Sequence, residues 1–240
     1  HQPVGLAELR RQQLGVGHQS LHIAARDQRR GNAERVVCSG IVREQALALL
    51  PDSIREYIAW RRKMRDGTFL PGFPVELRVD EIIKEWVSPL DTDYVVNAFF
   101  ASDALPLRDE EIPGYKTVLI GSYSGLLAAA GGLSPEILQT PVEGEWDILG
   151  ILMHCSRAAW WYLDRLDLAP RHTAEPRSWA ERLALVQESL LARLPSLAGM
   201  KRIELRSDEL WSPRKVVRRS IWHMRDHTSH IYQFRSRLGV

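Results

Sequence analysis

The chain has 240 residues and a mass of 27.4 kDa, a length that suits one or two domains with a sizeable core. It is 45% hydrophobic and 26% charged, which excludes disorder by composition. Its 32 Lys and Arg against 30 Asp and Glu leave a formal charge of +2, too balanced for nucleic acid or an anionic membrane to be the expected partner.

Residues 1–37 mix Gln, Arg, His and Gly with short apolar pieces such as Leu21, Ile23, Ala24 and Ala25, and sustain neither period 2 nor period 3.6. The expectation is a poorly specified segment, an arm or a weak strand pair. From Val42 to Met64 the spacing turns helical (Ala46, Leu49, Leu50, Ile54, Tyr57, Ile58), with Pro51 expected to kink or restart the helix. Asp66-Gly67 ends it, and Pro71 and Pro74 mark a loop. Val75, Leu77 and Val79 then alternate with charged residues as a half-buried strand, and Tyr94–Phe100 resembles a more buried one. Residues 38–103 therefore predict a small α+β domain, with the boundary at Ser102–Pro106.

Beyond it the periodicity is helical. Residues 108–131 end at Gly131-Gly132, and 146–166 form a strongly apolar helix. Ser178 with Glu181 is a capping box opening a third helix, whose buried stripe is Trp179, Leu183, Val186, Leu190 and Leu194. Ser212 and Pro213 start a fourth that runs to about Leu238. The fold class expected is mostly α: an up-and-down-type four-helix bundle over 106–240, preceded by the small α+β domain.

His223 and His227 lie one turn apart on the fourth helix, on the stripe that carries Val216, Ser220, Ile231 and Phe234. A pair of imidazoles on an inner face can chelate a divalent metal, given a further ligand from another helix. His154 is the candidate: the residues around it, Ile151, Leu152 and Met153, are apolar, and a polar ring there needs a partner. Asp147, on the same face, is a candidate to orient an imidazole from outside the ligand set. The alternative is a set of hydrogen-bonded structural histidines. A zincin motif is excluded, because Met224 stands where that motif needs its Glu. Arg214, Lys215, Arg218 and Arg219 form a basic cluster, expected to be a solvated, acid-paired face. Cys38 and Cys155 cannot build a disulfide framework and suit a reducing cytoplasm, and no apolar run approaches the roughly 18 residues of a membrane span. The localisation expected is cytoplasmic.

The run WDILGILMHCSRAAWWYL, with WSPRKVVRRSIWHMRDHTSHI further on, resembles the DinB-like four-helix-bundle superfamily over about residues 106–240. His154, His223 and His227 fall on the three histidine positions of that family, His230 falls where it often has Gln, and Met224 stands where it usually has Glu. The resemblance implies a divalent transition metal such as Zn, Ni or Fe on the three histidines, with His230 outside the ligand set. It implies a small-molecule substrate, a thiol among the candidates, for a metal-dependent thiol transferase or hydrolase. It also implies a homodimer as the form such bundles often take, while the charge balance and the lack of a long apolar run argue against a nucleic-acid or membrane partner. The other reading is a non-catalytic binding or scaffold module with a vestigial histidine cluster. Upstream, CSGIVREQALALLPDSIREYIAW is similar to the helix of HicB-like small domains, which serve as antitoxin or partner-binding modules.

Overall fold

The structure is a computed structural model whose elements run in chain order from strands around one helix to a series of helices. It describes residues 19–26, 33–40, 43–64, 76–84, 86–91, 94–142, 145–171 and 178–240. The loop expected from Asp66 to Pro74, the strand start at Val75 and residues 1–18 lie outside the described residues. The described residues fall into two units: those up to Phe100 with Ser207–Glu209, and Ala101–Arg206 with Leu210–Val240.

In the first unit, β1 (Gln19–Arg26) pairs antiparallel with both β2 (Ala33–Gly40) and β3 (Glu76–Lys84), giving the sheet order β2-β1-β3. The register between β1 and β3 shifts between His22 and Ala24, a bulge that lets one strand carry an extra residue. The helix α1 (Arg43–Lys63) lies against β1 and β2 and buries Ile54, Tyr57, Ile58 and Arg61, a stripe at helical spacing. It runs unbroken through Pro51, which costs about 3 kcal/mol in a helix interior; burial of the stripe beyond it offsets that cost. Of the strand expected over Tyr94–Phe100, only β5 (Val95–Val96) forms a ladder, with β4 (Trp86–Val87).

The second unit is a four-helix bundle. Its long helices are α2 (Ile112–Ala130), α4 (Ile148–Asp164), α5 (Trp179–Arg193) and α6 (Pro213–Leu238); α3 (Pro135–Leu138) is a single turn capped by Ser134. The capping box of Ser178 and Glu181 opens α5, and the Ser212 hydroxyl accepts the Lys215 amide to open α6. A hairpin of β6 (Glu204–Arg206) and β7 (Glu209–Trp211) turns through Ser207 and Asp208, both at positive φ, as a two-residue hairpin turn requires. Leu119, Tyr123, Leu126, Ile151, Leu152, Leu183, Val186, Val216, Met224 and Phe234 are among the residues that fill the core.

Side-chain contacts fix the sense of each helix. Arg214 at the start of α6 meets Glu111 and Tyr115 at the start of α2, while Arg235 near its end meets the Ala129 and Gly131 carbonyls, so α2 and α6 run parallel. Glu145 ahead of α4 meets His230 and Arg237, and Tyr162 near its end meets Arg219, so α4 runs antiparallel to α6. Ala198, just past α5, bridges to Leu107 ahead of α2, and Arg202 donates to the Leu166 carbonyl past α4. The sense is therefore up, down, down, up. This refines strict up-and-down alternation, and it places α6 between α2 and α4, so the last helix contacts the first two of the bundle. The cause lies in the connections. Roughly 14 residues separate α4 from α5, which extended reach about 45 Å, more than the ~25 Å length of α4.

Two ion pairs pin the N-terminal half of α6. Arg218 donates through Nε and Nη2 to the two oxygens of Asp103, at 3.0 and 2.6 Å, and the Asp103 side chain is fully buried. Arg214 donates to both oxygens of Glu111 at 2.9 and 2.7 Å. Burial raises the Glu111 carboxyl, but hydrogen bonds from Arg214 and the Arg108 amide, with the Arg214 charge, outweigh it and hold the pKa at about 2.

Arg218→Met leaves a buried carboxylate without its guanidinium and should cost about 3–5 kcal/mol in denaturant unfolding, whereas the Asp103→Leu/Arg218→Met double variant should cost less than that single change. A double variant no better than the single one refutes the coupling. Because the Glu111 pKa is depressed, its contribution to stability is present above the ordinary carboxyl pKa and is lost as pH falls toward 2. Solvent still reaches this half-buried pair and screens it, so Glu111→Gln should cost about 1 kcal/mol at neutral pH, or about 2–4 °C in Tm, with the difference from wild type vanishing at the acid end of that window.

Candidate metal centre

The cluster begins with the cap of α4. The Asp147 carboxylate accepts the Gly150 amide at 2.6 Å, and a Cβ at position 150 would stand 3.0 Å from that oxygen and 3.4 Å from Trp146 Cβ. Glycine there gives the cap and Trp146 their room. Trp146 then packs on His154 with ring centroids 4.9 Å apart. From Asp147 the helix buries Ile148, Ile151, Leu152, Cys155, Ala159 and Tyr162, and leaves His154 half-buried toward α6.

On α6, spacing by four residues puts His223 and His227 on the buried side. The three rings form a triangle: centroids lie 4.8 Å apart for His154 and His223, 5.1 Å for His154 and His227, and 4.5 Å for His223 and His227. Nε2 of His154 stands 2.9 Å from Nε2 of His223, and one ring nitrogen from each of the three lies within 4.8 Å of the others. Nitrogens bound at about 2.0–2.1 Å to one ion are ~2.9 Å apart at a right angle and at most ~4.2 Å apart. The closest pair matches a right-angle arrangement, and the 4.8 Å bound exceeds the limit by about 0.6 Å, within the reach of small ring rotations. Neutral imidazole is a common ligand of divalent transition metals, so the donor set fits such an ion.

Among the described residues no carboxylate or thiolate joins this cluster. Cys155 is buried, and burial, reinforced by the negative charge of Asp226, pushes its thiol well above the usual range. Met224, one step round the helix from His223, is fully buried in the core. Asp147 is placed as a helix cap, and a carboxylate that meets an imidazole is that of Glu145. Its Oε2 lies 2.7 Å from His230 Nε2, and Arg237 donates to its Oε1 at 2.5 Å. Burial raises the Glu145 carboxyl, while His230 and Arg237 lower it further, for a net shift down. His230 stands outside the triangle, stacked on His227 with centroids 6.0 Å apart. Glu145 and Tyr162 are the neighbours that sequence reasoning passed over. Glu145 lies before the helix it serves, and Tyr162 reads as an ordinary buried aromatic.

No family model matches the chain, and no curated protein matches it. A solved structure, YfiT from Bacillus subtilis, described as a probable metal-dependent hydrolase with an unusual four-helix bundle topology, aligns at 18% identity over 64% of this chain and 97% of that one, with a TM-score of 0.45. The HicB-like resemblance of the N-terminal part finds no support in these comparisons. Among the described residues, no helix is long and apolar enough to cross a membrane.

Asp147→Ala removes the cap of α4 and should cost about 1 kcal/mol, read as a lower Tm, while leaving the metal content of loaded protein unchanged. Loss of bound metal at full folding would show that Asp147 orients an imidazole.

Proposed function

We propose that the protein is a DinB-like metal-binding bundle in which His154, His223 and His227 hold one divalent transition metal ion, with Zn, Ni and Fe the candidates. The observation that carries this reading is the convergence of three imidazoles from two helices onto one small volume inside the bundle. Three protein ligands leave positions open to exchange, as in catalytic rather than structural sites. A divalent ion there lowers the pKa of a bound water or thiol. Metal-dependent thiol transfer or hydrolysis of a small molecule is the activity that fits. The chain's own part is positional. The cores of α4 and α6 hold the imidazoles in register, Trp146 and Tyr162 pack against them, and His230, tied to a Glu145 carboxylate that Arg237 also holds, stacks behind His227. A non-catalytic module with a vestigial cluster is the competing reading, favoured by the buried Met224.

The test is elemental analysis of untagged protein, loaded with each metal and then desalted. One equivalent is expected in wild type and less than about a tenth in His154→Ala, His223→Ala and His227→Ala. His230→Ala should weaken binding only about 10–100-fold, as outer-shell losses do. A wild type that retains no metal leaves the scaffold reading standing. A site emptied by His230→Ala but kept by His154→Ala would move the third ligand to His230.

A further inference from the structure

Of the three clustered imidazoles, His223 and His227 are buried and His154 is half-buried, so solvent reaches the cluster from the His154 side. That side is covered from the lead-in to α4. Roughly 10 Å of helix lie between the Asp147 cap and His154, yet the Trp146 indole packs on the imidazole with centroids 4.9 Å apart. The indole therefore folds back along the first two turns. It passes over Gly150, which shares the face of His154 one turn earlier, and a Cβ there would stand 3.4 Å and 3.7 Å from Cβ and Cγ of Trp146. A side chain at position 150 would crowd the path the ring takes.

The residue before it fastens this cover to the facing helix. Glu145 Oε2 lies 2.7 Å from His230 Nε2, and Arg237 donates to Oε1 at 2.5 Å, so one carboxylate holds two residues that stand two turns apart on α6. His230 in turn stacks on His227 with centroids 6.0 Å apart. Two consecutive residues thus reach both sides of the cluster, Trp146 against the imidazole of α4 and Glu145 against the ring behind an imidazole of α6. The Glu145, His230 and Arg237 side chains are 28%, 32% and 52% exposed. Water competes for contacts of this kind, which makes them the part of the cover that can open while the packed helices beneath stay in place.

We propose that Glu145 and Trp146 form a strap over the three-histidine centre: Glu145 latches it to α6, Trp146 shields His154, and metal and small ligands enter when the latch lets go. This rests on the metal reading above and adds the control of access to the same site. A gate that opens alike with and without metal scales entry and exit by one factor, so the two rates move together and the affinity stays nearly constant.

Cobalt uptake by stopped-flow absorbance and cobalt release to excess chelator test it. Carbethoxylation of His154 in metal-free protein, followed by peptide mass spectrometry, is a third readout that needs no metal. Glu145→Gln keeps the shape of the side chain and removes its charge; it should raise both cobalt rates about 3–10-fold, and His154 modification by a similar factor. Trp146→Ala should raise all three further, and Trp146→Phe, which keeps a ring against the imidazole, should fall between wild type and Trp146→Ala. Where Trp146→Ala fails to fold, the Gln and Phe variants carry the same comparison. Faster release at unchanged uptake would make both residues packing groups only and overturns the strap. Unchanged rates overturn it as well, and in both cases the metal centre stands. A wild type that takes up no cobalt overturns the metal reading itself, and with it the strap as the entry to that centre.

Discussion

The rotation of α6 about its own axis is the constraint on which the rest of the bundle depends. A helix presents its residues at fixed angles, so whatever fixes one face fixes the others. Arg214 and Arg218, four residues apart, are clamped to Glu111 and Asp103, and the Ser212 hydroxyl donates to the Asp103 carbonyl at 2.6 Å while it caps the helix. At the far end Arg235 satisfies the Ala129 and Gly131 carbonyls, which α2 leaves without intrahelical partners. Held at both ends by polar contacts, α6 can present only one side to α4. That side carries His223 and His227.

The order of the helices then decides what faces that side. With senses up, down, down, up, the last helix lies between the first and second, and the antiparallel α4 brings the middle of its own length to the middle of α6. His154 meets His223 at mid-height, away from loops and fraying ends. A constellation carried by two packed helices has its geometry fixed by core packing, a more exact determinant than loop closure. At the N-terminal end of α4 the Glu145 contacts to His230 and Arg237 tie the lead-in segment to α6, so the Asp147 cap and Trp146 are held near the cluster.

The helices that carry the site are legible in the sequence because their ends are chemically marked: Ser178 with Glu181, Ser212 with Pro213, and the glycines after Ala130. His154 is legible because an imidazole in an apolar run calls for a partner. The single turn of α3 and the β6–β7 hairpin are too short to show a period, and the hairpin turn uses Ser207 and Asp208 where the usual signal is Asn-Gly. The β1–β2 pair is equally obscure, since its residues do not alternate. The parallel course of α2 and α6 has no local signal at all, because it follows from which faces bury together. The basic cluster shows the limit of composition. Its four residues lie within six positions but on different faces: Arg214 and Arg218 meet Glu111 and Asp103, and Lys215 and Arg219 are buried, with Lys215 over Trp211 and Arg219 over Tyr162 and Trp222.

The same face geometry bears on how a reaction at this centre obtains its proton acceptor. Position 224 follows a histidine of the cluster, yet it points about 100° away into packed apolar core, where a carboxylate would lose its hydration with no compensating partner. Methionine there is what the packing favours. Glu145, a carboxylate that approaches an imidazole, is committed to His230 and to Arg237. Cys155 is kept protonated by burial. On the metal reading, the imidazoles are therefore neutral positioning groups, and the charge that activates a nucleophile comes from the ion. A thiol or water bound to such an ion would give its proton to solvent rather than to a protein base, and that chemistry would not require a carboxylate at position 224.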